Sequence, residues 1–274
     1  MSSAVVGVHQ LAQQAKRPMI VGGSAPTFDF DKLKNEYLFR IRADDYLVVS
    51  QLVKYLIETM KVQRPGIIVG TTEYCTAALA VAQEVFKDAN IPIVITEQIK
   101  ETDKDATGQI TKMKAANIDV VLGLTHEPEA AIFVTQAKNL GLNVPMTGFS
   151  AWGGPMFTDV AGEAAKGVYA AVSWHPDLAS DKGKAWAKEF EAKYKLPCSE
   201  HAASYYSGLY MFKEACEIAG SFDVDKIMQA FTKVNFMDKH NRLKMNAKHN
   251  FNNTVFIAQW NGTSYDRIAT IEAD

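Results

Sequence analysis

Short apolar runs alternate with stretches of helical periodicity along most of the chain. Runs of four to eight apolar residues bounded by Gly, Pro or polar residues predict buried strands. Apolar positions recurring three and four apart predict amphipathic helices. Residues 3–15 read as a helix, with Ser2 and Ser3 placed to cap it. A short strand over 19–21 follows, then a turn, then a second strand over 37–41. Over 45–60, Leu47, Val48, Leu52, Tyr55, Leu56 and Met60 recur at helical spacing. The run 66–70 is a buried strand and 73–87 an alanine-rich helix. Strands over 91–96, 119–124 and 145–147 then alternate with helices over 107–116 and 129–140, and Ile110 and Met113 face inward on the first of these. A Gly/Trp loop leads to a strand over 168–173 and to helices near 180–194, 202–219 and 223–233. Strands over 255–260 and 267–271 flank Asn261-Gly262, the strongest short hairpin signal in the chain.

Strands alternating with helices predict a parallel sheet covered on both faces. Between 66 and 148 this alternation is regular, whereas the later region has long helices with few strands of its own. Those helices need a sheet supplied by another part of the chain. The pattern therefore predicts two α/β lobes, with the chain crossing from one to the other more than once. Neither internal repeats nor low-complexity tracts are present.

Composition narrows the function classes. A chain of 274 residues with 47% hydrophobic content has enough apolar surface for one large or two ordinary domains. A net charge of −2 without Lys/Arg-rich runs gives no strong field toward nucleic acid or anionic lipid. The three cysteines, Cys75, Cys198 and Cys216, form no CxxC pair and leave at least one thiol unpaired, which argues against a disulfide framework. No apolar window approaches the ~18 residues of a membrane span, and Met1-Ser2-Ser3 lacks the charged and apolar regions of a signal peptide, so the chain as given would remain cytoplasmic unless a leader has been removed.

The candidate chemistry centres on Met19-Ile20-Val21-Gly22-Gly23-Ser24-Ala25-Pro26, where a strand runs into two glycines and a serine. Gly22 and Gly23 leave backbone N–H groups uncovered at a strand's carboxyl end, where α/β sheets bind ligands, and Ser24 adds a hydroxyl. A tight turn with no ligand is the plain alternative. Enzyme signatures are missing: no Gly-Lys-Ser/Thr follows the glycines, no GxGxxG opens a βαβ unit, and no His–Asp pair accompanies Cys75. His240 and His249 would need a third ligand to hold a metal. No catalytic residue, cofactor or metal is expected.

Several stretches, in order, resemble the type I periplasmic binding proteins, specifically the branched-chain amino-acid receptor branch of ABC importers. They are the Ser2-Ser3 helix start, the 19–26 strand and turn, Lys54-Tyr55-Leu56-Ile57-Glu58-Thr59, Ile67-Ile68-Val69-Gly70-Thr71-Thr72-Glu73-Tyr74, Asn117-Ile118-Asp119-Val120-Val121 through Gln136-Ala137-Lys138-Asn139-Leu140-Gly141-Leu142, and Tyr205-Tyr206-Ser207-Gly208-Leu209. The resemblance implies a two-lobed type I fold with parallel sheets flanked by helices: lobe one over 1–41 and about 174–252, lobe two over 42–173 and 253–274, joined by a three-crossover hinge. Family members have on the order of one hundred further residues ahead of this start, so lobe one is expected to be truncated.

The same resemblance implies ligand-binding residues. Ser2 or Ser3 would bond a ligand carboxylate at the helix start, and Gly22, Gly23 and Ser24 would add backbone and hydroxyl contacts. Tyr74 would close over the ligand from lobe two. His126 falls where the family often has a cleft aromatic. Ser150 stands where amino-acid receptors commonly carry an acidic residue for the ligand ammonium, so a standard leucine-type ligand is not implied unless Glu127 or Glu200 compensates. Trp152 is read as an apolar wall, and His201 and Tyr205 as lining from lobe one, with Tyr205 and Tyr206 splitting between cleft and core. The expected function is capture, in an interlobe cleft, of a carboxylate-bearing solute, an amino acid or a relative, for an ABC permease outside the cytoplasm. The alternatives are a cytoplasmic ligand-sensing domain and a truncated form with altered or lost binding. Self-association through an exposed sheet edge is a further expectation.

Overall fold

The computed structural model describes residues 2–22, 33–237, 242–252 and 254–272, with the backbone alone at 2–4 and 6. The chain begins with α1 (Ser2–Ala15), β1 (Met19–Val21), β2 (Leu38–Arg40) and α2 (Asp45–Glu58). It continues through β3 (Pro65–Gly70), α3 (Glu73–Asp88), β4 (Ile95–Ile99), α4 (Thr107–Ala115), β5 (Val120–Leu124), α5 (Glu127–Asn139) and β6 (Met146–Phe149). Then follow α6 (Pro155–Ala161), β7 (Tyr169–Val172), α7 (Asp181–Tyr194), α8 (Glu200–Ala219) and α9 (Val224–Phe231). The last elements are β8 (Asn235–Met237), β9 (Arg242–Lys244), β10 (Thr254–Trp260) and β11 (Tyr265–Glu272). Two compact units result. The first comprises Met1–Leu47, Ser173–Thr254 and Glu272–Asp274, and the second Val48–Val172 and Val255–Ile271.

In the first unit β1 and β2 pair in parallel, with Met19 beside Leu38 and Val21 beside Arg40. Val5 of α1 packs on Val21 and Leu38. Phe39 and Ile41 pack with Met211 and Ala215 of α8 and with Ile227 and Phe231 of α9. β2 is thus buried on both faces, which is why it reads as an unbroken run. The far edge of β2 is closed by the chain itself: the Arg40 N–H donates to the His249 carbonyl at 2.9 Å, and the Phe251 N–H donates to the Arg40 carbonyl at 2.7 Å. Helices α7, α8 and α9 start on side-chain caps, Ser180, Ser199 and Asp223, whose oxygens accept from the N–H groups of Gly183, Ala202 and Lys226.

The second unit holds a seven-stranded mixed sheet ordered β11-β10-β7-β6-β5-β3-β4. From β7 to β4 all pairings are parallel, and β10 joins β7 antiparallel. The Asn261–Gly262 turn connects β10 to its neighbour β11, and the Asn261 N–H donates to the Ser264 carbonyl at 3.0 Å.

Three sequence expectations are corrected. The strand expected over 91–96 is β4, which begins at Ile95: Pro92 lacks an N–H, and ladder pairing with β3 starts at Gly66–Ile95. The Gly/Trp loop is a 3-10 turn, Ser150–Gly153, followed by α6. Ser2 and Ser3 lie inside the first turn of α1 rather than ahead of it. The β8–β9 ladder was not expected, because both strands are three residues long and β9 carries a single apolar residue, Leu243, between two exposed cations.

Candidate functional site

Three neighbouring parallel strands of the second unit deliver their carboxyl ends to one place. β3 ends at Gly70 and leads to Thr72 and Tyr74 at the start of α3. β5 ends at Leu124 and leads to Thr125 and His126, which precedes α5. β6 ends at Phe149, followed by Ser150. The order β6-β5-β3 makes these three ends adjacent.

Their rings form a column. Phe149 and Tyr74 stack with centroids 4.7 Å apart, and Tyr74 and His126 stack at 4.9 Å. Phe149 is fully buried, Tyr74 is half-buried and the His126 side chain is 35% exposed, so the column runs from the core to the surface. His126 Nε2 shares a hydrogen bond of 2.9 Å with Thr72 Oγ1, which fixes the outer ring. Glu101 lies 3.8 Å from the same nitrogen, but it is 59% exposed and adds little. Ser150 adopts φ +34, a left-handed conformation uncommon outside glycine. A residue held there at a strand end is a feature of functional loops.

Trp152 is not an exposed wall. Its ring is fully buried and fills the space over Gly123 and Gly148, where an added Cβ would lie 1.8 and 2.1 Å from ring atoms. Its Nε1–H donates to Thr125 Oγ1 at 3.1 Å, and its carbonyl accepts from the Tyr265 hydroxyl at 2.8 Å. The side chain supports the Thr125–His126 segment from within the fold. Cys75 is likewise buried, and burial pushes its thiol pKa up, which leaves no reactive thiolate. Glu127 is half-buried against Gly154, and burial raises its carboxyl pKa.

In the first unit, Gly22 follows β1 at a point where a Cβ would come within 2.9 Å of the Ile41 side chain. Gly23 and Ser24 lie outside the described residues, as do the side chains of Ser2 and Ser3. His201 is exposed in the first turn of α8. Tyr205 is 50% exposed, whereas Tyr206 turns to Trp186, 4.9 Å between centroids, and to Tyr210 at 5.0 Å. His240 lies outside the described residues. His249 stacks on Phe39 at 4.9 Å and its Nδ1 lies 3.3 Å from the Leu38 carbonyl. Among the described residues no three His, Cys, Asp or Glu side chains gather as metal ligands would.

Sequence reasoning missed a buried ionic cluster in the first unit. Arg40 contacts Asp44 at 3.2 Å, and Arg42 contacts both Asp45 and Glu200 at 3.5 Å. Glu200 also accepts from the N–H and hydroxyl of Ser173, and Asn250 Nδ2 donates to Asp44 at 2.6 Å. Glu200 is therefore committed to this cluster rather than open to a ligand ammonium. The available signal was Arg40 and Arg42 flanking Ile41 at the end of an apolar strand, where charges are rare unless paired.

A parallel sheet with polar and aromatic side chains gathered at adjacent strand ends defines a class of α/β fold that binds small molecules beyond those ends. A model of the periplasmic binding protein family matches residues 1–265, and the chain belongs to that family. It is 25% identical over 210 residues to the leucine-, isoleucine-, valine-, threonine- and alanine-binding protein of Pseudomonas aeruginosa, covering 76% of this chain and 56% of the relative. The chain spans about half the length of the curated relatives it matches. Its fold is that of a branched-chain amino-acid ABC transporter protein from Thermus thermophilus with bound valine, TM-score 0.85 at 18% identity, covering 100% of this chain and 77% of that one. It is also that of an ABC transporter solute-binding protein from R. palustris in complex with benzoate, TM-score 0.84 at 16% identity, covering 98% and 75%.

Proposed function

We propose that this chain is the ligand-binding part of a solute receptor that delivers its ligand to an ABC permease on the outer side of the cytoplasmic membrane, and that its role is binding rather than catalysis. The observation that carries this reading is the convergence of Thr72, Tyr74, His126 and Ser150 on three adjacent strand ends of the second unit. The ligand is a small solute with a carboxylate on an apolar body, an amino acid or a relative. Valine and benzoate, bound by the two structural relatives, share that chemistry.

Calorimetric titration against branched-chain amino acids, their amides and aromatic acids tests the proposal. Saturable binding of a carboxylate that is lost in the matching amide is the expected result. Heat from none of these compounds would sink the reading. Thermal unfolding with and without the best compound provides a second readout, since a ligand that binds only the folded state raises Tm.

A further inference from the structure

Glu129, in the first turn of α5, is fully buried, and neither of its carboxyl oxygens has a hydrogen-bond partner among the described residues. Burying a carboxyl without donors is costly, so the group calls for a role. It reaches the end of β3. A Cβ added at Gly70 would lie 3.5 Å from Glu129 Oε1 and 2.6 Å from Cys75 Sγ, so the carboxyl and the thiol border the same space. Burial chiefly holds the Cys75 thiol protonated; the Thr72 hydrogen bond acts against this and the charge of Glu129 adds to it.

From Cys75 a chain of hydrogen bonds runs out to the ring column. Thr72 Oγ1 donates to Cys75 Sγ at 3.2 Å and lies 2.9 Å from His126 Nε2. A hydroxyl has a single proton. With that proton directed at the sulfur, Nε2 must carry its own and donate to Thr72. The reverse direction would turn the Cys75 S–H outward and leave the sulfur lone pairs facing Glu129, which repulsion opposes. Glu101, 3.8 Å from Nε2, weakly favours the same placement, since a carboxylate prefers an N–H opposite it. The other ring nitrogen, Nδ1, is then a bare acceptor. His126 is the N-cap residue of α5, yet its ring takes no hydrogen bond from the first turn of that helix.

We propose that Glu129, acting through Cys75 and Thr72, fixes His126 as the Nε2–H tautomer, and that the bare Nδ1 makes the candidate site a reader of N–H donors on the ligand. The inference deepens the function proposed above and rests on it for the ligand. Glu129 and Cys75 are positioning residues, and His126 is the group that meets the ligand. The tautomer decides which end of an amino acid this unit receives. An outward N–H would favour the carboxylate, whereas an outward lone pair favours the amino end. The second unit carries no carboxylate at position 150, and an imidazole acceptor supplies part of what a carboxylate would give an ammonium group there: the hydrogen bond, without the charge.

Nitrogen NMR of the whole chain, isotope-labelled at histidine, reads the tautomer without any ligand, at about pH 8 where an imidazole is ordinarily neutral. The His126 ring signals are those missing from His126→Phe. A protonated Nε2 and a bare Nδ1 are expected. Glu129→Gln should move a measurable share of the ring to the Nδ1–H form. Cys75→Ala, which frees the Thr72 proton for Nε2, should do the same and decides the matter if the first variant fails to fold. A purely structural Glu129 would change stability and leave the tautomer alone. Calorimetric titration with valine and with its trimethylammonium derivative, which keeps the charge and loses every N–H, reads the contact. The wild type should prefer valine roughly 10-fold, and His126→Phe, which keeps a ring in the column, should lose most of that preference. A bare Nε2 in the wild type, a tautomer unchanged in both Glu129→Gln and Cys75→Ala, or a preference retained in His126→Phe would each overturn the proposal. Binding of neither compound would overturn the function proposed above and the reading of the ligand with it, while the ring signals test the tautomer in either case.

Discussion

Arg42 and Glu200 meet across 3.5 Å in the buried cluster of the first unit, where Arg42 is also 3.5 Å from Asp45. One guanidinium thus joins the segment after β2, the first turn of α2 and the first turn of α8, and Glu200 extends the link to Ser173. These residues flank points at which the chain passes from one unit to the other, at 47–48 and 172–173. Removing the cation strands two carboxylates that are almost without solvent. Arg42→Leu is therefore expected to cost ~3–5 kcal/mol, read as a lower urea midpoint at unchanged slope. Arg42→Leu combined with Glu200→Leu should cost less than the sum of the single changes, because no unpaired charge then remains at that contact.

Asp45 gives the same cluster a pH dependence. It is 1% exposed, and its pKa is raised from 3.8 to about 7, chiefly by desolvation, with Arg42 and Arg40 acting against the shift and Glu200 and Asp44 adding to it. The folded state then binds the Asp45 proton more tightly than the unfolded state does. Stability from this group is present below the unfolded pKa and is lost as pH rises from about 4 to about 7. Asp45→Asn should show a flatter Tm profile across that window than the wild type, in scanning calorimetry from pH 5 to 8. Parallel profiles for the two chains would exclude Asp45 as the titrating group.

The parallel strands of the second unit were legible in sequence because strands buried on both faces read as continuous apolar runs, as in Ile67-Ile68-Val69 and Val120-Val121-Leu122. The hairpin turn at Asn261-Gly262 was legible from two residues. What sequence could not provide was register. Gly123 and Gly148 become one floor under Trp152 only because β5 and β6 pair with those residues side by side. Trp152 therefore reads as a wall when taken with its neighbours Gly153 and Gly154, and as a packed support once the ladder is formed. Arg40 and Arg42 were opaque for a related reason. Part of what pairs with them, Glu200 for Arg42 and Asn250 by way of Asp44, comes from far along the chain.

The floor under Trp152 makes a sharp prediction. Gly148→Ala would place a methyl group about 2 Å from ring atoms that are fully buried, and neither the sheet nor the ring has free space to move into. The variant is expected to lose ~3 kcal/mol or more and to weaken ligand binding, since Trp152 holds Thr125 next to His126. Gly148→Ala combined with Trp152→Phe, which removes the indole's second ring, should recover part of the stability and not the Thr125 hydrogen bond. Near-ultraviolet circular dichroism during thermal unfolding separates the two effects.

Ser150 sets the final prediction, because it follows Phe149 of the ring column and, on the function proposed above, its hydroxyl meets the ligand's amino end. A hydroxyl accepts one N–H of an ammonium group but leaves its charge uncompensated, whereas a carboxylate contributes a charge-assisted bond of ~1.5–3 kcal/mol. Ser150→Asp keeps the left-handed backbone accessible, since Asp tolerates positive φ better than most residues. The variant should bind leucine or valine about 10- to 100-fold more tightly than the wild type and should bind an aromatic carboxylate such as benzoate more weakly through like-charge repulsion. Tyr74→Ala, which takes out the middle ring of the column, should weaken both ligands alike. Calorimetric titration of the three chains with the two ligands reads this pattern. Equal changes for valine and benzoate in Ser150→Asp would show that Ser150 does not face the ligand's amino end.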